Sequence, residues 1–192
     1  MRTRGAMNWL ALVAGVVLLG QAADGPALDP ADQGKQLTQR AAGVLSSNLL
    51  AALTRGGPTN AIQFCATRAL PLTVAAGTNG ILVRRVSHRP RNPVNRASSN
   101  DLVVIQQFQA KLRPGAGLAP VLTTNSQGQV TFYAPIVLNT PLCLQCHGTP
   151  EKEVAVQTGE VLHRLYPQDE ALNFKLGELR GAWRVDFTAP RP

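Results

Sequence analysis

Cys143-Leu144-Gln145-Cys146-His147, followed at once by Gly148, is the stretch of this 192-residue chain whose residue types and spacing specify a chemistry. On one tight helical turn the two thiols point to the same edge, and the next residue brings an imidazole beneath it. C-x-x-C-H is the pattern at which a c-type haem is attached. The thiols add across two vinyl groups to form thioethers, and the histidine gives an axial nitrogen to the iron. The plain alternative is a structural cysteine pair, either a disulfide or half of a zinc site. Zinc calls for four ligands, and with three cysteines and three histidines in all there is no second pair to supply them. Cys143 and Cys146 are therefore expected to carry one covalent haem c, with His147 as the proximal ligand to its iron.

The second axial ligand decides what such a haem does. Methionine is excluded by composition, because Met1 and Met7 both lie in the N-terminal leader. Cys65, His88 and His163 remain, with lysines behind them. Cys65 is the odd thiol in a chain whose other two cysteines are committed, although a small buried residue on an apolar helix face would look the same. His163 is 16 positions after His147, in a polar stretch beside Arg164 that equally suits a surface residue. His88 sits in a basic loop where solvent exposure or contact with a propionate would serve. That loop belongs to the densest basic cluster, Arg84, Arg85, Arg89, Arg91 and Arg96. Guanidinium matches carboxylate in a fork, so Arg84 and Arg91 are candidate propionate contacts. A charged loop held by its own turns, with Asn92-Pro93 setting an extended bend, is the competing reading.

These groups need elements to hold them. Asp29-Pro30 starts a helix that runs to about Arg55 with Leu37, Ala41, Leu45, Leu49 and Ala52 on one stripe. Gly56-Gly57-Pro58 stops it, a second helix from Thr59 or Asn60 carries Cys65, and Pro71 kinks or ends that one. Beyond Gly80 the pattern predicts a strand over 81–86 and a loop over 87–97. A helix follows to Leu112, capped by Ser99 or Asn100. Strands over 118–123 and 129–138 flank the turn Asn125-Ser126-Gln127-Gly128 as an antiparallel hairpin. A helix over 151–165 and a last strand over 181–187 complete the series. Helices first and antiparallel strands later make the class α+β in a single domain.

Attachment of haem c requires export, and the N-terminus independently provides for it. Arg2 and Arg4 precede an apolar run from Trp9 to Leu19, and Gly20-Gln21-Ala22-Ala23 offers small residues for cleavage. Residues 1–23 are read as a secretory signal peptide, too short for a comfortable membrane span. Residues 24–32 form a linker and 33–192 the domain, and the protein is expected in the periplasm or otherwise outside the cytoplasm. Membrane association would follow only if the signal stays uncleaved. Losing Arg2 and Arg4 lowers the formal charge from +8 to +6. A basic surface suits nucleic acid, which an exported protein rarely meets, so none is expected as a partner.

Several stretches, taken in order, resemble one known family. They are Ala61-Ile62-Gln63-Phe64-Cys65, Arg84-Arg85-Val86-Ser87, Arg91-Asn92-Pro93-Val94-Asn95, Phe132-Tyr133-Ala134-Pro135-Ile136, Cys143 to Gly148, and Gly177 to Val185. Together they are similar to the Tll0287-like haem-binding family, also called the DUF3365 domain, over nearly the whole mature chain. The resemblance implies a PAS-like fold, an antiparallel sheet flanked by helices with an N-terminal helix, holding one c-type haem. It also implies histidine and cysteine as the axial pair, with His147 proximal and Cys65 distal. Family members stand alone or form the sensory part of a membrane receptor.

The expected function is an exported monohaem cytochrome acting as a haem-based redox or gas sensor, with a periplasmic electron carrier as the alternative. Catalysis is not expected, since no compelling distal acid–base pair is seen. Expected partners are the haem maturation machinery and a separate redox or signalling protein. A homodimer through the N-terminal helix is an analogy with other PAS-like domains.

Overall fold

The computed structural model describes residues 29–78, 80–113, 115 and 117–187. Residues 1–23, read above as a signal peptide, and most of the expected linker lie outside the described residues. The first helix, α1, spans Pro30–Val74 with Asp29 as its N-cap, so residues 30–32 belong to the helix and not to the linker. Its 45 residues are two helical segments, because the backbone breaks at Gly56 (φ −161°, ψ 25°) and Gly57 (φ 66°, ψ −165°). Only glycine adopts the Gly57 conformation at little cost. The Asn60 side chain spans the break by donating to the Ala52 carbonyl at 2.7 Å. The expected stop is thus a kink between two helical segments. Pro71 does not end the second segment, which continues to Val74.

Strand β1 (Leu82–Val86) follows, then a 3-10 turn at Pro93–Asn95 and helix α2 (Ser99–Lys111). The cap of α2 is Ser98, one residue before the expected position. Its hydroxyl and the Asp101 carboxylate satisfy each other's backbone N–H groups in a capping box. Strands β2 (Val121–Thr124) and β3 (Val130–Val137) form the expected hairpin, and helix α3 (Pro141–His147) comes directly after it. Helix α4 covers only Val156–Leu165, because the Thr149 carbonyl first gathers the N–H groups of Lys152, Glu153 and Val154 into a closed turn. Strand β4 (Leu179–Phe187) is two residues longer at its start than the pattern predicts.

All four strands are antiparallel in the order β1-β4-β3-β2. Alternation along the strands divides the core. One face places Val86, Tyr133 and Ala182 against Val104, Ile105 and Phe108 of α2. The other places Val83, Phe132, Trp183 and Val185 against Leu37 and Ala41 of α1. At Gly34 the helix crosses so close that a Cβ there would lie 2.4 Å from the Phe132 ring. The class is α+β in one domain. Among the described residues no helix is long and apolar enough to cross a membrane.

Candidate functional site

Between the kinked α1, the β1–β4 edge of the sheet and α3 lies a cavity of about 420 Å³, within the roughly 300–1,000 Å³ usual for small-molecule and cofactor sites. Its walls are largely apolar, with Leu45, Leu49, Ile62 and Phe64 from α1 facing Leu138 and Trp183. Cys65, Cys143, Cys146 and His147 all line this one cavity. Cys65 thus comes from the segment after the Gly56–Gly57 kink, and the other three from α3. All three cysteines are free thiols. Among the described residues no group of three or more His, Cys, Asp or Glu converges as a bare-metal site.

Helix α3 is short and fixed at both ends. Pro141 occupies its first turn after Thr140, and Gly148 closes it by donating to the Leu144 carbonyl at 2.8 Å. A Cβ on Gly148 would lie 2.7 Å from both Glu153 Cβ and the Leu144 oxygen. The loop following α4 locks the other side, with Phe174 N–H donating to the His147 carbonyl and Asn173 N–H to that of Gly148, each at 2.9 Å.

His147 Nδ1 lies 2.9 Å from the Ala171 carbonyl oxygen. A carbonyl only accepts, so Nδ1 carries the proton. Burial, then the nearby Arg91 and Arg180, push the imidazole well below the ordinary histidine range, while the bond to Ala171 pulls the other way. The ring is therefore neutral at physiological pH, and Nε2 holds a free lone pair. Burial pushes the Cys65 thiol up, against the weaker pull of Arg85 and Arg91. Burial also pushes the Cys146 thiol up to about 11.

The basic cluster divides. Strand alternation puts Arg84 on the α2 face of the sheet, where it pairs with Asp186 at 2.6 Å; it does not line the cavity, and its expected place beside a bound cofactor is corrected. The next residue, Arg85, points into the cavity instead. Its Nε is shut off from water without a partner, and burial lowers its affinity for the proton. Arg180, which the sequence pattern did not single out, joins it. Arg180 Nη1 donates to Ser87 Oγ and the Arg89 carbonyl, but its Nε is buried and unpartnered too. Arg91 lines the cavity with a largely committed guanidinium. Its Nε donates to Asp169 Oδ2 at 2.9 Å, and Nη2 reaches the carbonyls of Cys146 and Ala171. Arg89 holds the carbonyls of Glu170 and Leu172, and Arg96 pairs with Glu170. Most of the cluster therefore ties the loop over 88–96 to the segment over 169–174 behind α3.

The two other histidines lie outside the cavity. His163 is exposed on α4. His88 packs edge-on against Phe174, whose ring also meets His147 edge-on, and it faces Gln109. Tyr166, just beyond α4, also lines the cavity; no sequence signal distinguished it from an ordinary core aromatic.

Residues 28–188 match the model of the Tll0287-like family. The chain belongs to that family. No curated protein matches it. Among solved structures it is similar to one described as the crystal structure of the cyanobacterial heme-protein Tll0287, with 23% sequence identity and a TM-score of 0.52 over 83% of this chain and 96% of that one. At this identity the likeness is one of fold.

Proposed function

We propose that the protein is an exported haem protein that carries one haem c in the α1–α3 cavity and serves as a redox- or gas-responsive sensor. The observation that carries this reading is convergence. Two thiols, a neutral imidazole and a third thiol from a separate helical segment face a cavity that also holds two guanidinium Nε atoms without partners. The residues present fit a haem in three respects. The walls are apolar, the buried cations lack acceptors that a pair of propionates would supply, and the donor set is that of a thioether-linked haem with histidine and thiolate ligands. Membership of the family, and a fold shared with a protein described as a heme-protein, support the same reading.

In this reading Cys143 and Cys146 would hold the group covalently and His147 would offer Nε2 to its iron. Ala171 fixes the imidazole by its carbonyl, an arrangement common to metal-bound histidines. Cys65 approaches from α1, and Arg85 and Arg180 receive the carboxylates, in the role first expected of Arg84 and Arg91. Haem bound here supplies an iron that alternates between two oxidation states. Cys65 is the part of the site able to report that change, because it rides on the helical segment beyond the Gly56–Gly57 kink. When bound, haem would give the Cys65 sulfur a partner across the cavity from α3, and a sulfur released with uptake of a proton would remove that link between the two elements.

The deciding experiment compares sulfur ligation and backbone hydrogen exchange over 58–74 in the oxidised and reduced haem-loaded protein. A sensor loses sulfur ligation on reduction and exchanges faster in that segment. Unchanged ligation and exchange would favour the electron carrier.

A further inference from the structure

We infer that Arg91 is a positioning residue for the imidazole of His147, acting through the Ala171 carbonyl, in an assignment that rests on the functional reading above. Four groups form a closed set. Arg91 Nε donates to Asp169 Oδ2 at 2.9 Å, and Asp169 Oδ1 accepts the Ala171 N–H at 2.7 Å. Arg91 Nη2 lies 3.3 Å from the Ala171 oxygen, the same oxygen that His147 Nδ1–H reaches at 2.9 Å. The same Nη2 also binds the Cys146 carbonyl, at the C-terminal end of α3 where a cation suits the helix dipole. One guanidinium therefore references both the attachment helix and the acceptor that orients its histidine. The pair is largely withdrawn from solvent, with the Arg91 side chain 11% and that of Asp169 7% exposed.

Geometry makes the role specific to arginine. Three acceptors are reached from two nitrogens held in one plane, whereas a lysine ammonium is a single point on a flexible stem. Without the fork, the Ala171 oxygen loses its link to the Cys146 carbonyl and to Asp169 through one guanidinium, and the His147 Nδ1–H is left on a less firmly held acceptor. The neighbouring loop arginines are already committed, Arg89 to the carbonyls of Glu170 and Leu172 and Arg96 to the Glu170 carboxylate. Outer-shell partners of metal-bound histidines are commonly worth tenfold or more.

The test uses the haem-loaded protein and the variants Arg91→Lys and Arg91→Met, with Arg84→Lys on the far side of the sheet as control. The readouts are haem content, the solvent exchange rate of the His147 Nδ1 proton by NMR, and the ferric EPR g-values, which report ring orientation. We expect haem content to stay near one per chain in Arg91→Lys, while the ring proton exchanges roughly tenfold faster or more and the g-values spread. Arg84→Lys should change neither. Wild-type exchange and g-values in a haem-loaded Arg91→Lys would overturn the assignment, whether or not Arg91→Met matures. A wild-type chain that takes up no haem after export would overturn the functional reading and this assignment with it.

Discussion

Replacing Arg85 with methionine removes a buried charge that meets a ring face but no acceptor at Nε. The guanidinium extends from β1 over the Trp183 ring, 6.0 Å from its centroid, and its buried Nε has no acceptor. Arg91 and Arg180 line the same cavity. Methionine retains an apolar stem to pack on Trp183 and leaves nothing unsatisfied. An unpaired buried polar group costs about 1–3 kcal/mol, so Arg85→Met should stabilise the haem-free protein by about that amount. In a domain of this size that is a rise of about 2–4 °C in Tm for each kcal/mol. The comparison needs two backgrounds: Cys143→Ala/Cys146→Ala, which prevents covalent attachment, and the haem-loaded chain. Urea unfolding of both should show a gain in the first and a loss in the second, where the arginine meets a carboxylate. A loss of more than about 1 kcal/mol in the haem-free background would show that the fold itself relies on Arg85. An equal gain in both would show that no anion meets it.

Further expectations follow from single contacts. Cys65→Ala should retain covalent haem but lose the thiolate signature in the ferric spectrum and raise the reduction potential; an unchanged ferric spectrum would remove Cys65 from the iron. Gly148→Ala should sharply reduce haem incorporation, measured per chain, because the added methyl meets Glu153 and the Leu144 carbonyl. Gly34→Val should cost about 1–3 kcal/mol by overpacking against Phe132, read from denaturant midpoints. Burial pushes the Asp101 carboxyl up, but hydrogen bonds from Ser98 and Tyr133 and the Arg184 charge outweigh it and hold it below the ordinary range. Its contribution is complete above the unfolded carboxyl pKa of about 4 and fades as pH falls through the lower folded value. Asp101→Asn should flatten stability against pH in that acid window, and an unchanged slope would count against it.

The parts of the site closest in sequence were the most legible. The motif at 143–148 marked a candidate site, which lies on the cavity wall, and the hairpin before it and the break at Gly56–Gly57 are visible from turn and glycine signals. Cys65 stood out by arithmetic, as a thiol without an assigned partner. What stayed hidden depends on phase and on distance. Arg84 and Arg85 differ by one residue, and on a strand that difference selects the face of the sheet. With both faces of β1 mixing valine and arginine, alternation could not choose between them. Arg180 lay just ahead of the expected start of the last strand, so it had no face at all. Arg89 and Arg91 reach backbone carbonyls 55–83 positions away, and carbonyl acceptors leave no trace in residue type; the carboxylates that pair with Arg91 and Arg96 lie 74–78 positions away, too far along the chain for spacing to reveal. Helix α4 was extended too early because Glu151, at φ 64°, sits in a turn whose left-handed step ordinary helix-forming residues do not announce.

Whether Cys143 and Cys146 carry a covalent haem is decided by the reduced pyridine haemochrome spectrum. The full chain would be exported in a host with c-haem maturation machinery, purified and denatured before the spectrum is recorded. A c-type spectrum with one haem per chain is expected, and Cys143→Ala/Cys146→Ala should abolish it. A correctly exported chain without haem, beside a control cytochrome that matures normally, would contradict it.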